Sequence, residues 1–576
     1  MGVPSPPSSP RRAGAAHAST SSVSLGLVLA GVACLAAVAV GSFGLTTEAT
    51  LGIDLGTTFS VAATCERGVV TVVRVPGGSG THAQTMPSVV YFPERAREAA
   101  VVGADAARRR DTHPTRVVYD AKRLIGRRVD DPAVAEESKH LPFAVVADDG
   151  GFAAIQLGEA DDHTLAGRHF AKTSSIAPEA VGAAILARLK AAAETAGDGG
   201  ARSFAKRLLG FRFRTVTVSV PVNFSSEQKA ATLRAARTAG FAVARLLEEP
   251  VAAAVAHDAL RKERDENAAE KKKKTERDDG GALVLVYDLG GGTLDVAVLR
   301  SEPSSGTFLV MGSAGDDRLG GEDFDRALLE WAREKLSALP EPIFFPDALD
   351  GGRDERVRGD APAAREEKDD SKDASKDDSK DALNDGFDRN ASFLETDPDA
   401  DARGVHERAL RAMELAKKRL SDHETASIEI AYAFTQERNG VSSGDAAPTA
   451  TRVVTDAKTA VHEPSFETND GSRTAIHSDA LGHSVTLTLT RSDLETACAA
   501  LLDRASAPVY GALRAAGGVG VAEITDVVLV GGSSRLAAVR ARLAAIFGEE
   551  RLARGGDAGP DPETAVAVGA ARSYAC

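Results

Sequence analysis

Two stretches of this 576-residue chain share one design. Residues 51–62 read Leu-Gly-Ile-Asp-Leu-Gly-Thr-Thr-Phe-Ser-Val-Ala, and residues 284–298 read Val-Leu-Val-Tyr-Asp-Leu-Gly-Gly-Gly-Thr-Leu-Asp-Val-Ala-Val. In each stretch an apolar run meets glycine and returns as a second apolar run, which predicts two strands joined by a tight turn. Glycine allows the backbone N–H groups of such a turn to approach an anion closely. The repetition predicts two comparable halves whose hairpins grip one polyphosphate from opposite sides.

Acidic and hydroxyl side chains surround both predicted turns. Either hairpin alone is more often a purely structural turn, because many hairpins use glycine only for its positive φ. The duplication changes this interpretation, since carboxylates at strand ends and hydroxyls beside glycines are what a metal–nucleotide site needs. The candidate residues are Asp54, Gly56, Thr57 and Thr58 in the first hairpin, and Asp288, Gly290, Gly291, Gly292, Thr293 and Asp295 in the second.

These motifs resemble those of the seventy-kilodalton heat-shock protein (Hsp70) family, within the actin-like ATPases. The resemblance implies an α/β, two-lobed actin-like ATPase fold built from duplicated ribonuclease-H-like domains, with ATP or ADP and Mg²⁺ in the cleft. It also implies that Asp54, Asp288 and Asp295 hold the metal mainly through water. Phosphoryl transfer relies mostly on positioning and electrostatics, so the N–H groups of the glycine turns are expected to neutralise phosphate charge.

Further stretches carry the same resemblance. Residues 118–127 (Val-Tyr-Asp-Ala-Lys-Arg-Leu-Ile-Gly-Arg) resemble the family's segment with the catalytic lysine, which assigns Lys122, although a lysine in a basic patch is ordinarily a surface charge. Glu249 stands before a proline at the end of a predicted strand, where the family has an acid near the phosphates; a structural acid at a helix start is the alternative. Residues 313–325 also match the family. The resemblance implies that Lys122 and Glu249 position the attacking water, with Thr293 near the γ-phosphate.

Three later stretches supply the residues that are expected to contact the ribose and the adenine. Residues 413–421 resemble the family's adenosine-binding helix, and Lys418 stands where the family commonly has an arginine stacked on adenine. Lysine stacks less well than a planar guanidinium, which predicts weaker nucleotide affinity. Residues 527–536 form a strand, a Gly-Gly turn and a helix start, and residues 561–571 resemble the closing helix. The resemblance implies contacts from Glu414, Lys417, Lys418, Ser421, Gly531, Gly532, Ser533, Arg535 and Glu563.

The pattern predicts a two-lobed organisation with two insertions. Residues 340–402 are rich in Asp, Lys and Ser and nearly free of apolar side chains, so they cannot bury enough surface to offset the entropy of ordering. The predicted units are lobe I at 50–260, a charged loop at 261–280, and lobe II at 281–576 with its closing helix at 562–572, a disordered acidic insertion at 340–402 and a polar insertion at 435–483.

The N-terminal residues have the pattern of a targeting signal. Residues 1–24 form a polar, basic tip with Arg11 and Arg12, and residues 25–45 are an apolar run. A basic flank before an apolar run is typical of a signal peptide or a signal anchor, which favours the endoplasmic reticulum lumen or the secretory pathway. The acid-free, Ser-rich tip also fits a plastid transit peptide, and a buried core helix is the structural alternative. A membrane contact is expected only through this segment if it is uncleaved.

Charge and cysteine usage bound the remaining possibilities. The net charge of −14 argues against a nucleic-acid partner, and the segment from Asp354 to Asp401 alone contributes −9 of it. The four cysteines show no paired spacing, which predicts neither a disulfide framework nor a zinc site. Sequons occur at Asn223, after a strand-like run, and at Asn390, in a polar stretch that is expected to carry a glycan.

The most concrete expectation is a slow Mg²⁺-dependent ATPase core acting in protein folding or chaperone regulation. The chain stops shortly after the last ATPase helix, so we expect no peptide-binding β-sandwich and the microsomal, ATPase-core-only branch of the family. Nucleotide-exchange factors or co-chaperones are the expected partners, and the protein is expected to be a monomer. The alternatives are a non-hydrolysing, nucleotide-dependent docking module for co-chaperones and a sugar kinase of the same superfamily.

Overall fold

The structure is a computed structural model of the 576-residue chain. It describes Gly2, Ala30 and Gly31 and the ranges 50–66, 68–75, 84–94, 98–110, 112–139, 141–157, 174–195, 212–267, 281–302, 307–338, 398–432, 465–467, 473–479, 482–552 and 560–573. The predicted tip at 1–24, the apolar run at 25–45 and the acidic insertion as far as residue 397, with Asn390, lie essentially outside these ranges. In the described part of the chain, no helix is long and apolar enough to cross a membrane.

Within these ranges the strands fall into five sheets, and two of the sheets carry the candidate site. The strands are β1 (Thr50–Leu55), β2 (Phe59–Glu66), β3 (Val69–Val72), β4 (Thr85–Pro87), β5 (Val90–Tyr91), β6 (Val101–Val102), β7 (Val117–Val118), β8 (Ala144–Ala147), β9 (Ala153–Leu157), β10 (Ser174–Ile176), β11 (Thr215–Val220), β12 (Val243–Glu248), β13 (Leu283–Leu289), β14 (Leu294–Glu302), β15 (Thr307–Asp316), β16 (Thr425–Tyr432), β17 (Ser465–Glu467), β18 (Arg473–Asp479), β19 (Gly482–Thr490) and β20 (Asp526–Val530).

Helices cover these sheets, and several begin at a recognisable cap. For example, the side chain of Ser225 accepts a hydrogen bond from the backbone N–H of Gln228, whose side chain accepts one in return, forming a capping box. The helices are α1 (Ala104–Ala107), α2 (Ala121–Leu124), α3 (Pro132–Glu137), α4 (Pro178–Thr195), α5 (Ser226–Thr238), α6 (Glu249–Asn267), α7 (Gly321–Ser337), α8 (Pro398–Asp422), α9 (Arg491–Ala497), α10 (Ala499–Ala515), α11 (Ala537–Phe547) and α12 (Ala565–Arg572).

The two main sheets repeat one topology. In the first half of the chain, β1 pairs antiparallel with β2 and parallel with β11, and the order is β12-β11-β1-β2-β3 with β4 on β2. In the second half, β13 pairs antiparallel with β14 and parallel with β20, and the order is β15-β14-β13-β20. In both sheets the strand that leads into the glycine turn therefore lies between its hairpin partner and a parallel strand. This arrangement fits the α/β actin-like fold expected from the sequence.

Each half has its own apolar core, and α12 packs against both main sheets. Ala567 and Ala571 of α12 contact Val61, Ala63 and Cys65 of β2, while Val566 and Ala570 join a cluster that includes strands of the second sheet. Gly52 of β1 makes the close approach of α12 possible, because a Cβ there would collide with the backbone N of Ala571. The C-terminal helix is thus a packing element that both halves share.

Some predicted boundaries differ from the structure. α6 continues to Asn267, seven residues into the predicted charged loop, because a charged sequence is compatible with a solvated helix face. α8 begins at Pro398, inside the predicted acidic insertion. The predicted polar insertion at 435–483 contains β17, β18 and the start of β19, since antiparallel pairing supplies backbone hydrogen bonds without a strong apolar pattern.

The cysteine prediction is wrong in one respect. Cys65 on β2 is disulfide-bonded, and its side chain is buried. Cys498 is a buried free thiol. Spacing along the sequence failed here because a single disulfide needs no repeated cysteine spacing.

Candidate active site

The first hairpin places Asp54 at the end of β1. Asp54 lies opposite Val61 on β2, and Leu55 lies opposite Ser60, so the turn between them consists of Gly56, Thr57 and Thr58. The hydroxyl of Ser219, on the parallel strand β11, donates to Asp54 Oδ1 at 2.9 Å. The hairpin therefore forms as predicted, and its acid is hydrogen-bonded by a neighbouring strand.

The second hairpin places two acids directly opposite each other. Asp288 at the end of β13 pairs in register with Asp295 on β14. The backbone N–H of Gly290 donates to the carbonyl of Thr293 at 3.0 Å, which closes the turn around Gly291 and Gly292. Two carboxylates at a cross-strand position repel each other, so this arrangement is unfavourable unless a proton or a cation lies near them.

The two hairpins meet. A Cβ on Gly291 would collide with the side chain of Thr58, so the second turn touches the first through a glycine that no other residue can replace without a shift. Arg123 of α2 donates to the carbonyl of Gly292 at 2.7 Å and to that of Asp317 at 2.7 Å. The Thr58 hydroxyl donates to Glu322 Oε1 of α7 at 3.1 Å. These contacts join the two halves of the chain around the predicted phosphate turns.

Lys122 and Glu249 form an ion pair between these elements. Lys122 Nζ donates to Glu249 Oε1 at 2.7 Å, and the two side chains are 14% and 10% exposed. Lys122 lies on the short helix α2, and Glu249 is the first residue of α6. A lysine this deeply buried is not a solvated surface charge, which was the ordinary interpretation of its sequence context. The helix-start alternative for Glu249 describes its position correctly but does not account for its pairing with Lys122.

Electrostatic coupling ties these five charged groups together. Burial raises the pKa of Asp54 to about 6, with a further rise from Glu249. Burial and the same glutamate raise the pKa of Asp295 to about 7, and they hold the pKa of Asp288 well above its ordinary value. The pKa of Lys122 is raised because Glu249, Asp54 and Asp288 outweigh the cost of its burial. Four acids thus share one lysine, so acidic groups outnumber basic ones at this place.

This excess of acidic groups fits a site for a divalent cation. A cavity is lined by Glu249, Asp288 and Asp295 together with Pro221 and Ser313. Within the described ranges, no three His, Cys, Asp or Glu side chains converge closely enough to ligate a metal directly. Mg²⁺ usually keeps several of its waters and binds through few carboxylates. The carboxylate donor set therefore fits Mg²⁺.

The predicted adenosine helix is the last part of α8. Lys417 is buried, and its Nζ lies 2.8 Å from Asp325 Oδ1 and donates to the carbonyl of Gly321 at 2.6 Å. Lys418 pairs with Glu414 at 2.7 Å, and its Nζ lies 5.2 Å from the ring centroid of Phe59 on β2. Lys418 thus reaches the first hairpin's strand, whereas Lys417 is fully engaged within its own half.

The Gly-Gly turn after β20 lies beside the second hairpin. Gly531 has a φ of 79°, and a Cβ there would lie 2.8 Å from Asp288 Oδ1, so this turn touches the second hairpin. A Cβ on Gly532 would lie 3.1 Å from Glu563 Oε1. Ser533 lies against Gly321, which also receives Lys417. Arg535 instead pairs with Asp561 at 2.6 Å.

Most of the predicted site residues lie around the two glycine turns. The side chains of two others, Ser421 and Arg535, make no contact with this group. Ser421 lies in the last turn of α8, where its carbonyl accepts from Arg491 at 3.3 Å, and Arg535 points to the segment before α12. Residues that bridge the halves or hold an acid were missed by the sequence-based prediction. Arg123 and Glu322 lie within motifs already quoted and could have been found there; Ser219 had no signal, because only strand pairing brings it to Asp54. The predicted site assignments themselves stay predictions.

The chain was compared with models of known protein families. A family model described as Hsp70 protein matches residues 50–339 and 422–575, well over half of the chain. The part between these ranges contains α8, so Glu414, Lys417, Lys418 and Ser421 lie outside the matched residues. The matched ranges include both hairpins, Lys122, Glu249 and the turn at Gly531. Hsp70 proteins are nucleotide-binding chaperones and ATPases that use ATP, ADP and Mg²⁺, and this chain belongs to the Hsp70 family.

Proposed function

We propose that this chain binds ATP with Mg²⁺ between its two halves and hydrolyses it slowly. The observation that supports this most directly is the contact between the two glycine turns beside the Lys122–Glu249 pair and the opposed acids of the second hairpin. A polyphosphate between the turns would meet backbone N–H groups from both halves, and a cation near the acids would relieve their repulsion. Both requirements of phosphoryl transfer, positioning and charge neutralisation, are then met.

The proposed roles follow from these positions. Asp54, Asp288 and Asp295 would hold Mg²⁺, mainly through water, and the bound ion would supply positive charge to the phosphates. Lys122, held by Glu249, would orient the attacking water, and Thr293 would lie near the γ-phosphate. The N–H groups that would receive phosphate oxygens belong to Gly56, Thr57, Thr58, Gly291 and Gly292.

The nucleoside would lie on the second half. Gly531, Gly532 and Ser533 allow close approach of the backbone, and Glu563 stands beside this turn. Lys417 would not contact the nucleoside directly, because its ammonium group already bonds Asp325 and the carbonyl of Gly321. It would instead hold in place the residues that do. Glu414, Lys418, Ser421 and Arg535 are also proposed as nucleoside-facing residues.

One assay separates the candidate functions. Purified full-length chain is mixed with ATP, with Mg²⁺ or with a chelator, and released phosphate and bound nucleotide are both measured. Phosphate released only with Mg²⁺ supports the ATPase. Nucleotide bound without phosphate release supports a docking module. Phosphate transfer that needs an added sugar supports a kinase.

We further propose that this activity serves protein folding or the regulation of chaperones, together with nucleotide-exchange factors or other co-chaperones. The expectation of an ATPase core that works without its own peptide-binding β-sandwich stays a prediction. Steady-state hydrolysis with and without a panel of unfolded peptides tests it. Stimulation of several-fold would contradict the prediction.

We propose the lumen of the secretory pathway as the location. The disulfide at Cys65 supports this, because disulfides persist in oxidising compartments. Asn223 lies in an exposed turn after β11, whereas Asn390 lies outside the described residues. A glycosidase-sensitive shift in mobility of the full chain, lost when residues 1–45 are deleted, tests the proposal. A product found in plastids without a glycan would support the transit-peptide alternative.

A further inference from the structure

The first residues of α7 hold the beginning of the second glycine turn. The N–H of Gly321 donates to the carbonyl of Gly290 at 3.0 Å, and the N–H of Glu322 donates to the carbonyl of Gly291 at 2.7 Å. These are the first two N–H groups of the helix, which have no partner within the helix itself. Both hydrogen bonds lie within the second half of the chain, so they do not depend on the first half.

The last carbonyl of the turn is held from the other half. Arg123 of α2 donates from Nη2 to the carbonyl of Gly292 at 2.7 Å and from Nη1 to the carbonyl of Asp317 at 2.7 Å. Its Nε lies 3.6 Å from Glu137 Oε1 on α3, and the side chain of Arg123 is only 16% exposed. A planar guanidinium donates in several fixed directions at once. One side chain of the first half can therefore hold both the turn and a neighbouring loop of the second half.

These hydrogen bonds fix the direction of the N–H groups in the turn. In a trans peptide, the carbonyl and the N–H of the next residue point in opposite directions. The N–H groups of Gly291, Gly292 and Thr293 therefore each point away from the donor that holds the carbonyl before them. Among the residues that the structure describes, none of these three N–H groups has a backbone acceptor. Successive N–H groups of this kind form a concave site for an anion.

We propose that Arg123 is a positioning residue for hydrolysis, because it links contact between the two halves to the direction of the Thr293 N–H. This inference rests on the proposed function, in which Thr293 lies near the γ-phosphate. Of the three peptides in the turn, the one between Gly292 and Thr293 is the one whose carbonyl is held across the halves. When the halves separate, Arg123 leaves this carbonyl and the Thr293 N–H loses its fixed direction. The γ-phosphate end of the turn is therefore fully formed only while the halves are in contact.

The contact between Arg123 and the turn is close. The three atoms nearest to a Cβ on Gly292 all belong to the guanidinium of Arg123, and the methyl group of an alanine would collide with Nη2. Gly292 is not among the glycines with a positive φ, so its backbone conformation does not require glycine. The missing side chain of Gly292 instead leaves the space in which the guanidinium lies.

Hydrolysis and binding assays separate positioning from a general effect on the fold. Arg123→Ala is compared with the native chain and with the control Arg234→Ala, whose arginine is 53% exposed and pairs with Glu179 at 2.7 Å. We expect Arg123→Ala to lower kcat roughly 10–100-fold, since a misplacement of about 1 Å can cost 100-fold. It should weaken ATP binding more than ADP binding, because the Thr293 N–H serves the γ-phosphate. The control should match the native chain.

Rescue keeps the test independent of folding. Guanidinium chloride at millimolar concentration should restore part of the kcat of Arg123→Ala, whereas potassium chloride at the same ionic strength should not. Arg123→Lys, which keeps a cationic donor without the planar fork, should retain more activity than Arg123→Ala.

The outcomes distinguish this inference from the proposed function. A native chain that neither binds nor hydrolyses ATP would contradict both. If the native chain is active, three results would overturn the inference alone: unchanged kcat in Arg123→Ala, equal losses of ATP and ADP affinity, or no restoration by guanidinium.

A double-mutant cycle tests the contact itself. Gly292→Ala should lower kcat in the native chain, because its methyl group displaces the guanidinium of Arg123. In Arg123→Ala the same methyl group has room, so adding Gly292→Ala should change kcat by less than about twofold. Additive losses would mean that the turn and Arg123 act independently, and they would overturn the proposal.

Discussion

The two glycine hairpins share a backbone design and differ in charge. In the first, Asp54 faces Val61 and accepts a hydrogen bond from Ser219. In the second, Asp288 faces Asp295, and within the described residues neither acid accepts a hydrogen bond from a side chain. The same strand–turn–strand geometry therefore holds one supported acid in one half and two opposed acids in the other. The second hairpin is where a cation has most to neutralise.

The difference also concerns what each turn contributes to closure. The first turn offers the side chain of Thr58, which reaches Glu322 and stands against Gly291. The second turn offers a bare backbone, on which Thr58 and Arg123 both lie. One turn supplies side chains and the other supplies the space for them. The duplicated hairpins are thus complementary rather than equivalent, and the following predictions test that difference.

The largest effect is expected from Asp288→Asn. It should lower Mg²⁺-dependent hydrolysis by roughly 10²–10³-fold, because it removes charge that the metal and the transition state require. Asp54→Asn should lower hydrolysis less, by about tenfold, since the hydroxyl of Ser219 already stabilises Asp54 by a hydrogen bond. Phosphate release is the measurement, and circular dichroism checks the fold. Equal losses would contradict the difference between the hairpins, and unchanged turnover would remove Asp288 from the site.

Lys122→Ala should lower kcat by roughly 10²-fold while ATP affinity changes only a few-fold. The reason is that the proposed contribution of Lys122 is to positioning in the transition state. Lys229→Ala is the matched control, because Lys229 pairs at 3.7 Å with Glu248, the neighbour of Glu249, and is 37% exposed. Single-turnover kinetics and equilibrium binding separate the two terms. Native values of both in Lys122→Ala would show that its ion pair is only structural.

Gly291→Ala should lower hydrolysis about tenfold or more, and Gly290→Ala should have little effect. A methyl group on Gly291 collides with Thr58 and pushes the two hairpins apart, whereas the nearest atom to a Cβ on Gly290 is 3.7 Å away. Because misplacement of about 1 Å can cost as much as 100-fold, the pair measures how closely the turns must meet. Equal activity in both variants would mean that this contact is not needed in the working enzyme.

Glu322→Gln should change the pH dependence of stability. Burial and the nearby Asp120 raise the pKa of Glu322 from its ordinary 4.5 to about 7. The folded state thus binds a proton that the unfolded state has lost, so its stability falls as pH rises from about 4.5 to 7. The glutamine variant should lose this slope and gain roughly 1–2 kcal/mol at pH 8. Urea unfolding between pH 5 and 8 measures it.

The control for this series is Glu330→Gln on the same helix. Glu330 is 64% exposed and pairs with Arg333, so its replacement should leave the pH profile unchanged. A profile that is unaltered in Glu322→Gln would show that its contact with Thr58 does not depend on ionisation.

The smallest effect is expected from Lys418→Arg, which should tighten ATP binding about 2–5-fold. A guanidinium stacks on aromatic surfaces better than an ammonium group, and such contacts contribute roughly 0.5–1 kcal/mol at exposed sites. Lys418→Gln should weaken binding, because it removes the cation that lies over Phe59 and pairs with Glu414. Calorimetry with ATP compares the three proteins. Weaker binding in the arginine variant would place adenine elsewhere.

Much of the site was accessible from sequence because its residues lie in local motifs. Asp54 and Asp288 follow apolar runs, and the glycines after them mark turns, so both hairpins could be predicted from patterns a dozen residues long. Ser219 was not predictable in this way, because a strand about 165 residues away supplies it. The disulfide at Cys65 was also missed, because a single bond needs no repeated cysteine spacing.

The sequence by itself determined the hairpins, the family and the residue types at the site, because each depends on short-range patterns of apolar, glycine and acidic residues. Only the tertiary structure decided which groups share a charge environment. Lys122 and Glu249 are 127 residues apart and become an ion pair at 2.7 Å only in the folded chain. The complementarity of the turns, in which Thr58 fills the space that Gly291 leaves, likewise needs both halves in contact. Long-range packing sets distances and burial, and these decide the electrostatics that a local pattern cannot contain.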